Sequence, residues 1–353
     1  MRNLRIGLVG CGKFGAQMGR YINEHSQVVA VCDQQILRAQ ETAKKLSLNS
    51  GVYTDYLQMF AHEKLDAVFI TAANFVHAEI TIAAAQRGLH VFCEKAMARN
   101  VAECWSMVNA CCLHQVKLMV GHKRRLRPSW ARMIELTRPE GSLGEPLAIS
   151  IVQYADMRPY HYPGTWWANP INVGSSQAVL CPHTIDWIRA MCGDVVAVSA
   201  LAGPRMHTGY LFPEILHVMY RFKSGAVATI NTSFEFPLQF FREAQGPMVQ
   251  CRHGGLKLTP RLTHIDLRWH RLDEALPHDE RFEMAPDFDA AFRREVGDFF
   301  DWIDKDKPPC LTWLEGLRCV ELMEAAELSA QQNGKQVELP LHPALEGIAP
   351  KSY

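Results

Sequence analysis

The sequence predicts an α/β domain with a doubly wound parallel sheet, followed by a larger α+β domain with a largely antiparallel, open sheet. Three observations predict this fold class. The chain has 353 residues, which is more than a single hydrophobic core usually holds. Strand and helix patterns alternate over its first third, and strands follow one another more closely afterwards. We therefore divide the chain into residues 1–125 and 126–353.

Five apolar runs in the first domain have the near-continuous hydrophobic character of strands that are covered on both faces of a parallel sheet. These runs are Leu4–Val9, Val28–Cys32, Ala67–Thr71, His90–Cys93 and Leu118–Gly121. Helical patterns separate them near Phe14–Asn23, Ile36–Leu46, Ala78–Arg87 and Val101–His114. The alternation is typical of βαβ units and of a doubly wound sheet.

The second domain begins with a helix near Pro128–Thr137 and a strand at Leu147–Tyr154, before a turn-rich stretch of Pro, Tyr and Trp. Residues Gln177–Cys192 then predict one helix with an apolar face. Later strands are predicted at Val195–Leu201, Ile215–Phe222 and Ala226–Phe234, with weaker ones up to about Trp269. Two helices close the domain near Phe288–Asp304 and Trp313–Asn333. This order indicates an α+β domain.

Composition and charge exclude several classes of partner. Hydrophobic residues make up 48% and charged residues 21%, which is ordinary for a globular protein. The 37 basic and 37 acidic residues balance, so the net charge favours neither nucleic acid nor a membrane surface. The basic cluster Lys123–Arg127 is more typical of a solvated turn or an anion-binding corner than of a nucleic-acid interface. No apolar run approaches the roughly 18 residues of a membrane span.

Cysteines and histidines give no sign of disulfides or of a metal. The 11 cysteines include no C-x-x-C pair, and the 15 histidines include no H-E-x-x-H motif. The N-terminus enters a strand pattern at once and lacks the features of a signal peptide. We expect free thiols, no metal and a cytoplasmic protein.

A glycine-rich loop follows the first strand and opens the first helix. Gly10, Gly12 and Gly15 form a G-x-G-x-x-G motif that includes Lys13 and Phe14. Gly10 permits a tight turn, Gly12 permits close approach of a pyrophosphate, and Gly15 permits close packing of helix on strand. The N-terminus of the helix would face the phosphates with its partial positive charge. The alternative is an ordinary glycine-rich turn.

An acidic residue after the second strand indicates which dinucleotide binds. Asp33 lies 18 residues beyond Gly15, where its carboxylate would accept hydrogen bonds from the adenosine ribose hydroxyls. The same charge would repel a 2′-phosphate, so NAD is the expected cofactor rather than NADP. Arg38, one helical turn further on, is a candidate contact to the same end of the cofactor and weakens this preference.

Four further motifs follow in order along the chain: Thr71-Ala72-Ala73-Asn74 with His77, Cys93-Glu94-Lys95-Ala96, the segment Gly121–Pro128, and Pro182-His183-Thr184-Ile185-Asp186. With the glycine loop, they make the chain similar over almost its whole length to the family of glucose–fructose oxidoreductase, inositol dehydrogenase and MocA. The resemblance implies a hydride transfer with a sugar, cyclitol or related polyol. It implies that Thr71, Ala72, Asn74, His77 and Glu94 lie beside the cofactor. It also implies a homodimer or homotetramer that buries the open sheet.

Hydride transfer at a secondary alcohol needs a matching proton transfer at its oxygen. Lys95 follows the strand His90–Cys93 directly, and burial beside a nicotinamide would lower its pKa from about 10.4. The resemblance implies that Lys95 touches the substrate hydroxyl and the cofactor. His183, three residues before Asp186, is the second candidate because histidine titrates near 6.5. The alternatives are a solvated Glu-Lys pair and a helix-start histidine bonded to backbone.

The sequence departs from the family pattern at two positions. Val179 stands where many members carry an Asp four residues before the histidine, and it cannot orient a proton. Ala96 stands where a proline usually follows the lysine. Because a cis bond before a residue other than proline costs about 3 kcal/mol, we predict a trans peptide before Ala96. These departures leave the base and the substrate open.

Polar and aromatic residues of the second domain are candidates for holding a polyhydroxylated ring, because such rings combine apolar faces with polar edges. Together with Lys95 and His183, the candidate substrate-binding residues are Arg124, Tyr154, Arg158, His161 and Trp167. The alternative is an aromatic loop that simply packs on the second domain. Two other functions stay open, an NAD-dependent glycosidase of the same family and a sensor of sugar or NAD without catalysis.

Overall fold

The computed structural model describes residues 3–48, 51–157, 166–205 and 210–342. The chain divides into two compact units. The first unit holds the described residues up to His122 together with Phe292–Val320, and the second holds Lys123–Ala291 and the described residues from Glu321 onwards. The expected linear division into 1–125 and 126–353 leaves out this return of the chain to the first unit.

The first unit contains one parallel sheet of six strands in the order β3-β2-β1-β4-β5-β6. Its strands are β1 (Arg5–Val9), β2 (Gln27–Cys32), β3 (Val52–Tyr53), β4 (Ala67–Ile70), β5 (His90–Glu94) and β6 (Leu118–Gly121). The helices that connect them are α1 (Lys13–Asn23), α2 (Ile36–Lys45), α3 (Tyr56–His62), α4 (His77–Ala85) and α5 (Val101–Leu113). The strand order reverses between β1 and β4, which creates the crevice where doubly wound sheets bind ligands.

The second unit contains a sheet of nine strands in the order β14-β13-β12-β11-β7-β10-β9-β8-β15. Only β7 and β10 pair in parallel among its described strands. The strands are β7 (Pro146–Tyr154), β8 (Val195–Ala202), β9 (Ile215–Phe222), β10 (Val227–Ser233), β11 (Gly246–Cys251), β12 (Gly254–Pro260), β13 (His264–Arg271), β14 (His278–Glu283) and β15 (Val337–Glu338). The predicted fold class is confirmed.

The helices of the later part of the chain are α6 (Pro128–Leu136), α7 (Pro170–Val173), α8 (Gln177–Leu180), α9 (Pro182–Cys192), α10 (Leu238–Phe241), α11 (Met284–Lys305) and α12 (Trp313–Gln331). The single helix predicted at Gln177–Cys192 is wrong, because the structure breaks it at Cys181. Pro182 has no N–H to donate, but its fixed φ suits the first position of α9, so one helix ends and another begins there.

Aromatic side chains explain why Phe292–Val320 belongs to the first unit. The ring of Phe292 stacks on Tyr21 of α1 with centroids 4.9 Å apart, and Phe299 meets Phe69 edge-on at 5.3 Å. Phe69 in turn stacks on Phe92 of the next strand at 4.6 Å. Burial of these rings joins two segments that lie far apart in the sequence.

All 11 cysteines of the chain are free thiols. No helix in the described part of the chain is both long enough and apolar enough to cross a membrane.

Candidate functional site

The carboxyl ends of four neighbouring strands in the first unit are in register. Val9 pairs with Cys32 on one side and with Ile70 on the other, and Ile70 pairs with Cys93. The residues that follow these positions therefore leave the sheet along one edge. They are Gly10, Asp33 and Thr71, whereas Glu94 is the last residue of β5 and pairs with Gly121 at the same edge. All four are residues that the sequence predicts to lie at the site.

The three glycines of the loop after β1 meet different surroundings. Gly10 has a φ of +96°, and a Cβ there would lie 2.4 Å from the backbone N of Ala72. A Cβ on Gly15 would lie 1.9 Å from the carbonyl oxygen of Gly10. A Cβ on Gly12 would meet no described atom within 4 Å. Gly10 and Gly15 therefore serve the turn and its packing, whereas Gly12 borders open space.

This open space suits a dinucleotide. Gly12 is the N-cap of α1, and it has no side chain that could cap this helix end. Free N–H groups and the helix dipole together bind phosphate groups. Lys13 is exposed at the same helix end, whereas the Phe14 ring packs 5.5 Å from Phe292. The residues present therefore fit the pyrophosphate of NAD.

Asp33 is held by backbone on both sides. Its Oδ2 accepts a hydrogen bond of 2.8 Å from the Cys11 N–H, and its Oδ1 accepts one of 2.9 Å from the Gln35 N–H. The carboxylate is partly exposed, and each oxygen keeps acceptor capacity for a ribose hydroxyl. Arg38 is exposed in α2.

The loop after β4 is tied to the glycine loop and to the segment after β5. The Thr71 hydroxyl donates a hydrogen bond of 2.6 Å to the Gly10 carbonyl. The buried His77 ring lies between two loops, with its Nε2 3.0 Å from the Ala72 carbonyl and its Nδ1 3.0 Å from the Ala96 carbonyl. Burial lowers the pKa of His77, although the two carbonyl contacts oppose this shift.

These contacts separate two kinds of residue within the predicted cofactor set. Thr71 and His77 act through the backbone atoms that they hold, and Asn74 is buried in the turn that precedes α4. Ala72 is partly exposed between them. We therefore propose that Thr71 and His77 position the cofactor loops, which the motifs alone do not distinguish from direct contact.

Lys95 is the first residue after β5. It is partly exposed, whereas Glu94 and Ala96 on either side of it are buried. The backbone N–H of Lys95 donates a hydrogen bond of 3.1 Å to Oε2 of Glu94, which fixes the peptide at the end of the strand. Lys95 therefore stands at the same sheet edge as Gly10, Asp33 and Thr71.

The prediction of a trans peptide before Ala96 is wrong, because the Lys95–Ala96 bond is cis. The prediction considered only the local preference of the amide. It did not include the buried surroundings of Ala96, whose carbonyl lies against the His77 ring.

In the second unit, His183 lies in the first turn of α9 and is partly exposed, whereas the following residues Thr184–Arg189 are buried. Val179 lies in α8 and is also partly exposed. Tyr154 ends β7 with its ring 4.7 Å from Phe236, and Trp167 lies 5.8 Å from the Tyr210 ring. Arg158 and His161 lie outside the described residues.

Arg124 lies in a cluster that sequence reasoning finds only in part. Its Nη1 donates to Oε1 of Gln153 at 3.3 Å and to the hydroxyl of Thr184, and its guanidinium lies 4.8 Å over the Trp130 ring. Gln153, Thr184 and Trp130 were not predicted. Gln153 and Thr184 are the sequence neighbours of Tyr154 and His183, and this adjacency is the signal that could have found them.

Comparison with known proteins gives the same picture for both units. Residues 4–122 match the model of an oxidoreductase family with an NAD-binding Rossmann fold, and residues 131–252 match the model of the GFO/IDH/MocA C-terminal domain. Inositol 2-dehydrogenase of Salmonella typhimurium is 25% identical over 349 residues, which cover 96% of this chain and 98% of that enzyme.

Two further similarities differ in extent. The 2,7-anhydro-N-acetylneuraminate hydratase of Mediterraneibacter gnavus is 36% identical over 124 residues, which span 35% of this chain and only 32% of that protein. The solved structure of levoglucosan dehydrogenase with NADH and levoglucosan has a TM-score of 0.84 at 20% identity, covering 96% of this chain and 100% of that one. This second similarity shows the fold. The chain thus has an NAD-binding Rossmann domain and belongs to the GFO/IDH/MocA family of oxidoreductases.

Proposed function

We propose that the protein is an NAD-dependent dehydrogenase or reductase that transfers a hydride between the nicotinamide and a secondary alcohol or ketone of a sugar, cyclitol or related polyol. The observation that carries this proposal is the position of Lys95 at the sheet edge that also presents Gly10, Asp33 and Thr71. Relatives over nearly the full length, such as inositol 2-dehydrogenase, support the substrate class.

The chemistry assigns a role to each of a few side chains. NAD, when bound, accepts or returns the hydride. Lys95 holds the proton of the substrate oxygen, while Glu94 fixes the Lys95 peptide through the Lys95 N–H. His183 is the second group that we assign to proton transfer, acting without the Asp that Val179 replaces. Arg124, Tyr154 and Trp167 bind the substrate, and we assign Arg158 and His161 to the same task.

We further propose that NAD is preferred over NADP. The Asp33 carboxylate is fixed by the Cys11 and Gln35 N–H groups, so it cannot turn away from a 2′-phosphate. Arg38, the nearest candidate for neutralising such a phosphate, is exposed on α2. We expect higher kcat/KM with NAD than with NADP in the assay described next.

The test is the near-ultraviolet absorbance of NADH, measured with NAD or NADP against aldoses, cyclitols and sugar acids. We expect turnover with one substrate class, and a Lys95→Ala variant should lose on the order of 10²–10⁴ in kcat while still binding NAD. Lys44→Ala, which removes an exposed lysine of α2, should keep full activity. Full activity of Lys95→Ala would refute the role of Lys95.

A second candidate is a reaction that oxidises the substrate only transiently and regenerates NAD within each turnover, as in an NAD-dependent glycosidase. One relative that matches part of the chain is a hydratase, a class of enzyme that catalyses no net oxidation. Products that form without NADH accumulation would support this candidate. NAD and sugar binding without any product would instead support a sensor.

We also propose that the protein is a cytoplasmic homo-oligomer. The nine-stranded sheet exposes apolar side chains on one face, since Met219, Val227 and Met248 are 60%, 50% and 58% exposed. Met219 and Met248 lie in one row across β9, β10, β7 and β11. A second copy of the chain is the proposed occupant of this face. The cytoplasmic location is supported by the free thiols, which are typical of a reducing compartment.

Light scattering during size-exclusion chromatography tests the oligomer. We expect a dimer or tetramer for the wild type and a monomer for the double variant Met219→Lys, Met248→Lys, because two charges would then face each other across an apolar interface. Leu37→Lys, which changes a 70% exposed leucine of α2, is the control and should stay oligomeric. A monomeric wild type would refute the proposal.

A further inference from the structure

Three arginines follow one another closely in the basic segment that opens the second unit, and they differ in their acidic partners. Arg125 forms a bidentate ion pair with Asp186, in which Nε donates to Oδ2 at 2.6 Å and Nη2 donates to Oδ1. Arg127 donates a hydrogen bond of 2.6 Å from its Nε to Oδ2 of Asp287. Arg124 forms no ion pair with any carboxylate of the described residues. The charge of Arg124 is therefore the one of the three that no carboxylate of the described residues neutralises.

The Arg124 side chain is nevertheless held in one orientation. Its plane lies over the Trp130 ring, and its Nη1 donates to the oxygens of Gln153 and Thr184. Gln153 is itself fixed, because its amide donates to the Leu180 carbonyl. These contacts leave the edge formed by Nε and Nη2 free of partners among the described residues. That edge is the one that meets a carboxylate with two parallel hydrogen bonds.

The charge of Arg124 persists at neutral pH. Burial, together with the nearby charge of Arg127, lowers the pKa of the Arg124 guanidinium to about 10, which still leaves it protonated. A partly buried cation without a counter-ion is costly unless a ligand supplies the opposite charge. The position is also suited to a substrate, since Arg124 contacts Thr184, the residue next to His183 in the first turn of α9.

We propose that Arg124 binds a carboxylate of the substrate, so that the polyols that this protein acts on are sugar acids rather than neutral sugars. This inference rests on the proposed function and names its substrate class. A carboxylate fits better than a phosphate, because one guanidinium edge neutralises one negative charge and matches a planar, two-oxygen group. Polyol hydroxyls alone would leave the charge of Arg124 uncompensated.

The experiment compares pairs of ligands that differ at one carbon: glucuronate with glucose, galacturonate with galactose, and gluconate with glucitol. Binding to the NAD-saturated protein is measured by calorimetry, and turnover is measured by NADH formation. We expect at least one acid to bind about tenfold or more tightly than its neutral partner. Arg124→Gln should lower that acid's affinity on the order of 10²-fold and should lower the affinity for the neutral partner far less, so that the preference for the acid is lost.

Two variants separate this role from a structural one. Arg124→Lys keeps the positive charge but loses the bidentate hydrogen-bonding edge of the guanidinium, so it should retain part of the preference for the acid. Arg132→Gln removes an arginine of the same unit that pairs with Glu280, and it should leave the preference unchanged. The thermal midpoint of Arg124→Gln should fall only by the loss of the contacts with Gln153, Thr184 and Trp130, because no carboxylate loses its partner. Arg125→Gln, in contrast, should lower the midpoint by leaving Asp186 buried without a counter-ion.

The outcomes for this inference and for the proposed function are distinct. Acid-selective binding that is lost in Arg124→Gln supports the inference, whether or not NADH forms. The absence of NADH formation with every ligand of the panel would overturn the dehydrogenase proposal. Turnover with equal affinity for acids and neutral partners would support the dehydrogenase and overturn the inference. Acid selectivity that survives in Arg124→Gln would also overturn it.

Discussion

Gly12 and Gly15 are two glycines of the same G-x-G-x-x-G motif, yet their surroundings in the structure give them different roles. Alanine at position 15 would bring a methyl group 1.9 Å from the Gly10 carbonyl and 2.7 Å from the Thr71 hydroxyl. Alanine at position 12 would meet no described atom within 4 Å, and the φ of −67° there suits any residue. One substitution therefore strains the protein, and the other intrudes only on the ligand.

We predict that Gly15→Ala destabilises the protein by about 1–3 kcal/mol and also weakens NAD binding, since backbone must move to admit the methyl group. Gly12→Ala should leave the thermal midpoint unchanged and weaken NAD binding by at least about tenfold, or about 1.4 kcal/mol. Thermal unfolding and calorimetric titration with NAD measure the two effects. Equal NAD affinity in Gly12→Ala and the wild type would show that the pyrophosphate does not approach this position.

At the scale of single residues, the sequence predicts the positions of those residues whose placement depends only on their spacing along the chain. The glycines and Asp33 are found because a short strand, a tight turn and a helix fix their positions relative to one another. Arg124 differs, because a run of four basic residues does not show which of them pairs with an acid. Which arginines are paired depends on Asp186 and Asp287, which lie about 60 and 160 residues further along the chain than their partners Arg125 and Arg127.

Helices α6 and α11 of the later part of the chain are joined by one carboxylate. Asp287 is 3% exposed in the first turn of α11, where its oxygens accept hydrogen bonds from the Ser129 N–H at 2.7 Å, from the Ser129 hydroxyl at 3.0 Å and from Arg127. The same group therefore caps α6 and neutralises a largely buried guanidinium.

We predict that Asp287→Ala lowers the free energy of unfolding by about 3–5 kcal/mol, because it leaves the Arg127 charge unpaired and the end of α6 uncapped. Chemical denaturation measures the change. The exposed ion pair between Arg268 and Asp279 is the control, and Asp279→Ala should have no measurable effect because solvent screens that pair. Similar effects of both variants would mean that the Asp287 contacts contribute little.

At the scale of elements, long periodic segments are predicted well and short ones are not. The strand β3 has two residues, Val52 and Tyr53, too few to show any period, and it is recognised only by its pairing with β2. The helix break at Cys181 was missed because the apolar face continues across Pro182, so periodicity outweighed the backbone signal of the proline.

The stability of the whole molecule should depend on two buried or partly buried histidines. Burial lowers the pKa of His77 and of His90 below the 6.5 of a free side chain, and the charge of Lys117 lowers that of His90 further. Below pH 6.5 the unfolded chain therefore binds more protons than the folded one. The free energy of unfolding should fall from pH 6.5 downwards until the lower pKa values of the folded state are passed.

His90 offers the cleaner variant, because its Nδ1 accepts a hydrogen bond of 3.1 Å from the Lys117 N–H. Asparagine can accept the same bond and does not titrate. We predict that His90→Asn flattens the fall in the free energy of unfolding below pH 6.5. Gln86→Asn, at an exposed position without a titratable group, should keep the wild-type profile. A profile for His90→Asn identical to the wild type would contradict this assignment.

At the scale of the whole chain, the alternation of strands and helices predicts both fold classes, because it depends on local patterns. The return of Phe292–Val320 to the first unit could not be predicted in the same way. It depends on which aromatic surface Phe292 and Phe299 meet, and Tyr21 and Phe69 lie more than 200 residues away. Apolar periodicity indicates that one face of a helix or strand is buried, but it does not indicate which element packs against that face.

The His77 ring makes the loop after β4 and the segment that carries Lys95 move together, since it contacts a carbonyl of each. A cofactor that orders the first loop therefore lowers the entropy cost of ordering the second. Such a coupling is reciprocal, so any ligand that orders the segment of Lys95 would raise the affinity for NAD by the same factor. A substitution in the loop after β4 is therefore expected to change binding at the segment of Lys95 as well, although the two are separated in the sequence.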